Sequence, residues 1–202
     1  MAPKKSMIIM GIDPGLAHTG WGVVKLEGTH LLPVAYGCIT TTTDVELPGR
    51  LAIIHDNLCE YIDRYQPVAL SVEGIYFGAN TKSAIATAQA RGAALVACAY
   101  KGLQYGEYTP MQIKQALVGT GAADKHQVQY MVKVVLGLDH EPSPDHCADA
   151  LAAAITHARL VGIRELQGKG MSKLQQLKNG CNEGKTGFER CVEAALAKEG
   201  VR

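Results

Sequence analysis

Met7-Ile8-Ile9-Met10-Gly11-Ile12-Asp13-Pro14-Gly15 is a short apolar run that stops on a carboxylate and a turn. Runs of this length bounded by turn residues read as buried strands. A second run, Val68-Ala69-Leu70-Ser71-Val72, stops in the same way on Glu73. Much later, Asp145-His146-Cys147-Ala148-Asp149-Ala150-Leu151 opens an Ala/Leu-rich stretch that reads as a helix, with Ser143-Pro144-Asp145 as cap and first turn. Carboxylates at the ends of adjacent buried strands, facing the start of a packed helix, are a recurrent way to hold divalent metal against phosphate. The expected centre is Asp13, Glu73, His146 and Asp149, and the chemistry it implies is metal-dependent nuclease action.

The rest of the chain supplies a scaffold for that centre. Strands are expected over 7–12, 19–26 and 31–40, punctuated by Gly15, Gly20, Gly22, Gly28 and Pro33 as in an antiparallel meander. Leu47, Leu51, Ile54, Leu58, Tyr61, Ile62 and Tyr65 fall at helical spacing over 47–66. A strand at 68–75, a long helix from Thr81 to Lys101 and a strand at 103–109 follow. Pro110 opens a short helix, Asp124 or Lys125 another through Leu136, and Asp145 a last one through Arg159. Three successive strands and then helix–strand alternation predict an α/β fold, a mixed five-stranded sheet with helices on both faces.

Length and composition set the outer limits. The 202 residues suffice for one domain, expected over 7–160, with a flexible N-terminus at 1–6. Residues 161–202 form a Gly-rich basic tail, in which Thr186-Gly187-Phe188-Glu189 begins a capping-box pattern and a short helix at 187–199. Eight of the 20 Lys/Arg and five of the 19 acids lie in that tail, so the 7–160 domain is not basic overall and charge alone does not argue for nucleic acid. No apolar run approaches about 18 residues, so no membrane span is expected, and the expected location is cytoplasmic. Six cysteines without a C-x-x-C pair fit reduced, buried thiols.

Each candidate has a plainer reading beside it. Asp13-Pro14-Gly15 is a good turn, yet it closes an apolar strand and precedes Thr19-Gly20-Trp21-Gly22, whose glycines would let backbone approach a ligand closely. Glu73 leads into Gly74-Ile75-Tyr76-Phe77-Gly78, where adjacent aromatics beside an acid suit stacking on unpaired bases. His146 and Asp149 project from one side of a helix. Asp145 shares that side as a rival ligand, although a first-turn acid also serves the helix dipole. Lys114 and Lys125 are by base rates solvent-facing. In the Thr81–Lys101 helix, alanines and Gly92 leave small side chains on every face, which predicts close helix approach at a dimer contact.

Taken in order, the chain resembles the RuvC family of Holliday-junction resolvases. The resemblance rests on Gly11-Ile12-Asp13-Pro14-Gly15, Thr19-Gly20-x-Gly22, Glu73 with Asn80-x-x-Ser83-Ala84, and Gln89-Ala90-Arg91-Gly92. It continues through Gln112-Ile113-Lys114-Gln115, Lys125-x-Gln127-Val128-Gln129, Ala148-Asp149-Ala150-Leu151-Ala152 and Ile155-Thr156-His157. It implies a ribonuclease-H-like fold and paired symmetric nicks in four-way DNA junctions, made by a homodimer that works with a branch-migration helicase complex. It places Asp13, Glu73 and Asp149 on catalytic acids, Tyr76 (with Phe77 beside it) on a junction-contacting aromatic, and Lys114 and Lys125 on functional basic positions. Two Mg²⁺ per site, with Mn²⁺ able to substitute, are the implied cofactors. His146 stands where the family often has Asp; imidazole is a softer ligand and favours Mn²⁺ more than an all-oxygen site would. Two other classes stay open at this level, a non-catalytic branched-DNA-binding module and an actin-like ATPase. The ATPase class needs two such domains, for which the chain is short.

Overall fold

The computed structural model describes residues 6–74 and 81–166. Its elements are β1 (Ser6–Asp13), β2 (His18–Glu27), β3 (His30–Thr40), α1 (Leu47–Tyr65), β4 (Ala69–Glu73), α2 (Thr81–Tyr100), β5 (Gln104–Tyr108), α3 (Pro110–Val118), α4 (Lys125–Leu136) and α5 (Asp145–Leu166). The sheet runs β3-β2-β1-β4-β5. β1, β2 and β3 pair antiparallel, whereas β4 and β5 add in parallel to β1. Among the described residues no helix is long and apolar enough to cross a membrane. Tyr76 and Phe77, the first five residues and the 187–199 helix lie outside the described residues.

Period-two alternation sorts the side chains onto two cores. Met10, Ile12, Trp21, Val23, Leu70 and Val72 face α1 and α2, packing on Ile54, Leu58, Ile62, Ala90, Ala94 and Ala97. Trp21 stacks on Tyr61 with ring centroids 4.3 Å apart. On the opposite face, Ile9 and Val24 meet α5, with α3 and α4 layered outside it around Ile113, Leu117, Val132 and Leu136. Since Ile12 points to α1 and α2, its neighbour Asp13 must point to the α5 side. Glu73 follows Val72 to that side for the same reason.

One cross-strand row seats α5. Gly22, Gly11, Ser71 and Gly106 are successive register partners on β2, β1, β4 and β5. A Cβ on Gly11 would run into the carbonyl oxygen of Ala150, and one on Gly22 would lie 2.6 Å from Leu151 Cδ2. Next along the row, Ser71 Oγ donates to the Ala153 carbonyl at 2.8 Å. The helix answers with its own small residues, so that nearly every position from Cys147 to Ala158 is buried. Full burial of Leu151 and Ile155 contributes about 1.5–3 kcal/mol each.

Two sequence expectations change here. The glycines of Thr19-Gly20-Trp21-Gly22 admit α5, not a ligand: a Cβ on Gly20 would overlap the backbone of His146. The last helix continues past Arg159 to Leu166, carrying Gly162 within it. An interior glycine costs only about 1 kcal/mol, and the helix formers around it outweigh that. The expected 160/161 boundary therefore falls inside a helix.

Candidate active site

β1 and β4 are parallel neighbours, so their C-terminal carboxylates, Asp13 and Glu73, emerge at the same end of the sheet. The close seat of α5 brings its first turns over that end. Asp13 Oδ2 accepts a hydrogen bond from His146 Nδ1 at 2.6 Å. Asp149, one turn further in, lies 3.6 Å from Lys125 Nζ, which is also 3.0 Å from Asp145. Asp124 caps α4 through a capping box with Gln127, and this places Lys125 at the first helical position, beside the carboxylates.

The electrostatics record a crowd of like charges. Burial pushes the Glu73 carboxyl up to about 7, and Asp13 and Asp149 push in the same direction; Lys114 and Lys125 oppose them. Asp149 is raised as well, first by burial and then by Asp13, with Lys125 and His146 opposing. Asp145 is exposed, and its hydrogen bond from Lys125 holds it below the usual carboxylate range. Asp145 is thus a partner of Lys125, while Asp149 belongs to the crowded interior.

Of the sequence-expected residues, the fold gathers Asp13, Glu73, His146, Asp149, Lys114 and Lys125 at one end of the sheet. Lys125 is exposed, as base rates suggest, and it also bridges two acids. Sequence reading missed His18, whose ring stacks on His146 at 5.8 Å between centroids. A lone histidine at a strand start carries no signal of such a contact. Among the described residues, no three His, Cys, Asp or Glu side chains close on one point tightly enough to hold an ion as they stand. The donor chemistry nevertheless fits a hard divalent cation: carboxylate oxygens in mutual repulsion, with a lysine standing in as counter-charge.

Comparison with known proteins then decides the family. The sequence model for crossover junction endodeoxyribonuclease RuvC matches residues 9–157. The chain belongs to the RuvC family. A RuvC of Desulforamulus reducens is 47% identical over 153 residues, covering 76% of this chain and 94% of that protein. One from Rubrobacter xylanophilus is 43% identical over 176 residues, covering 87% of this chain and 98% of its own. Thermus thermophilus RuvC superposes with a TM-score of 0.73 at 38% identity, over 81% of this chain and 98% of that one. The same protein in complex with a Holliday junction substrate gives 0.75, again at 38% identity, over 81% and 97%. The RuvC match thus takes in β1 through most of α5, including every candidate site residue among those described.

The raised Glu73 carboxyl gives a prediction for this RuvC-family fold without metal. Its folded value, about 7, lies above the ordinary 4.5, so folding favours the protonated form. That contribution is complete below 4.5 and is lost as pH rises through 7. After allowance for solvent screening, Glu73→Gln is expected to be more stable than the wild type at pH 8 by about 1–2 kcal/mol. At pH 4 the two should melt alike. Thermal melts in EDTA at both pH values check this; an equal gap at each pH would remove the cause assigned.

Proposed function

We propose that this chain is a structure-selective endonuclease that resolves four-way DNA junctions by paired, metal-dependent nicks leaving 5′-phosphate and 3′-hydroxyl ends, in recombination and repair in the cytoplasm. The observation that carries the reading is the convergence of Asp13, Glu73, His146 and Asp149 from β1, β4 and α5 in a RuvC-family fold. Asp13, Glu73 and Asp149 with His146 would hold Mg²⁺ or Mn²⁺, two ions per site, which when bound neutralises phosphate charge and activates water.

The protein's own groups do the remaining work. Asp13, between the other donors, would be the shared ligand. Lys125, 3.6 Å from Asp149 Oδ2, would compete with an ion for that carboxylate, and on displacement it would be free to meet a phosphate. Lys114, within electrostatic reach of Glu73, would lie against the DNA backbone. Tyr76 and Phe77 would stack on bases at the open branch point, where such contacts contribute about 1–3 kcal/mol per base.

A four-way junction has two-fold symmetry, so a homodimer with two sites suits paired nicks. The outer stripe of α2 supports this: Ile85 is 52% exposed and Val96 55%, with open space around Gly92 between them. A charge in that stripe, Val96→Glu, is expected to leave a folded monomer that binds junctions weakly and nicks without pairing. Sedimentation at micromolar concentration reads the mass, and an unchanged dimer would move the interface elsewhere. A branch-migration helicase complex is the proposed further partner.

The function itself is tested with a mobile synthetic junction, a duplex and a single strand of the same sequence, each with and without Mg²⁺. Metal-dependent cleavage confined to the junction supports the reading. Binding without cleavage at any metal concentration would replace it with a junction-binding module.

A further inference from the structure

On the sheet face away from the carboxylates, Arg91 of α2 reaches β5. Its Nη2 is 2.7 Å from Glu107 Oε2 and also donates to the Tyr105 hydroxyl, which donates in turn to that same carboxylate oxygen at 3.0 Å. Arg91 Nε is buried and has no hydrogen-bond partner among the described residues. Pleating explains the arrangement: Tyr105 and Glu107 turn to α2, while Gly106 and Tyr108 turn to α5.

What lies on the other side of Glu107 gives the cluster a use. Gly74, immediately after Glu73, donates its N–H to the Tyr108 carbonyl at 2.8 Å. A Cβ at position 74 would stand 3.1 Å from Glu107 Oε1. In register, Val72 pairs with Glu107 and Glu73 with Tyr108. The end of β4 is therefore held laterally by the β5 backbone, and the carboxylate that Arg91 holds stands beside Gly74. Stability alone is a poor reason to keep such a group. An ion pair whose carboxylate is 46% exposed contributes only about 0–1 kcal/mol, and a buried donor without a partner costs about 1–3 kcal/mol.

We infer that Arg91 and Glu107 are positioning residues for Glu73, acting through Gly74 to set where its carboxylate stands in the site. The inference rests on the nuclease reading above. It gives the Gln89-Ala90-Arg91-Gly92 segment a task besides packing: α2 carries the arginine that steadies one wall of the site from behind the sheet. Gly74 then has a steric duty, because a side chain there would press on Glu107.

The test uses the full chain. Mn²⁺ affinity is measured by calorimetric titration of the DNA-free protein, and cleavage of a synthetic junction is followed against Mn²⁺ concentration. Junction binding in EDTA and thermal melting accompany both. Arg91→Ala and Glu107→Ala are each expected to weaken Mn²⁺ binding about tenfold, as loss of groups that orient a ligand does. The cleavage curve should move to higher metal concentration with junction binding in EDTA unchanged. The double variant should be no worse than either single one, since both remove the same brace. Arg91→Lys, which keeps the charge and the fold, should fall between. Lowered melting temperature with unaltered Mn²⁺ affinity would overturn the inference and make the cluster a purely structural contact. Weakened junction binding with unaltered Mn²⁺ affinity would overturn it in favour of a DNA contact. If the wild type does not cleave junctions at all, the nuclease reading fails, and the Mn²⁺ titration still decides whether Arg91 and Glu107 govern the site.

Discussion

Replacing Asp13 by Asn is expected to abolish junction cleavage, lowering the rate by roughly a thousandfold or more, while leaving junction binding in EDTA intact. Asp13 lies between the other donors: it accepts the hydrogen bond from His146 and adds to the repulsion felt by both Glu73 and Asp149. An amide keeps the size and removes the charge, so the fold is retained. The metal-free variant should even be modestly more stable at neutral pH, because two carboxylates lose a like-charged neighbour. A single-turnover assay beside a gel-shift assay separates the two effects. Equal cleavage by Asp13→Asn and wild type would refute the assignment of the centre.

The second large effect is steric. Gly11→Ala sets a methyl group against the Ala150 carbonyl and 2.7 Å from the Ala154 amide nitrogen, in the middle of the buried helix. Neither side is a flexible side chain that swings aside. A loss of about 3 kcal/mol or more is expected, lowering the melting temperature by roughly 6–12 °C for a domain of this size. Gly20→Ala should behave differently, because its methyl would meet the first turn of α5 at His146. That turn can shift outward, so the variant should fold, yet lose cleavage by about a hundredfold, the cost of a misplacement near 1 Å. Melting and cleavage measured together distinguish the two. A Gly20→Ala protein cleaving at the wild-type rate would mean that the seat of α5 does not set the site.

The contrast between these glycines marks where the sequence stops being legible. Strand and helix positions follow from short apolar runs and capping residues, which are local. The placement of Asp13 and Glu73 on one face follows almost as directly, from alternation along β1 and β4. What no local pattern reveals is which residues meet across strands. Gly11, Gly22, Ser71 and Gly106 become one row only after the register is known, so Gly20 and Gly22 read equally well as room for a ligand or for a helix. Lys125 is similar: its position at the start of α4 was visible, but its bridge to Asp145 and Asp149 depends on how α4 packs on α5. Arg91 and Glu107, 16 positions apart on different elements, give no sign of each other in the sequence.

The aromatic contact on the far side of the sheet has a practical consequence. Trp21 is the chain's single tryptophan, and it lies 8% exposed against Tyr61 and Tyr65 of α1. Its register partner Ile12 precedes Asp13, but its indole faces away from the carboxylates. Intrinsic fluorescence excited at the indole therefore follows the packing of α1 on the sheet, on the face opposite the carboxylates. The molecule carries its own optical gauge of folding, separate from its chemistry, and the melting experiments above can be read from it without a label.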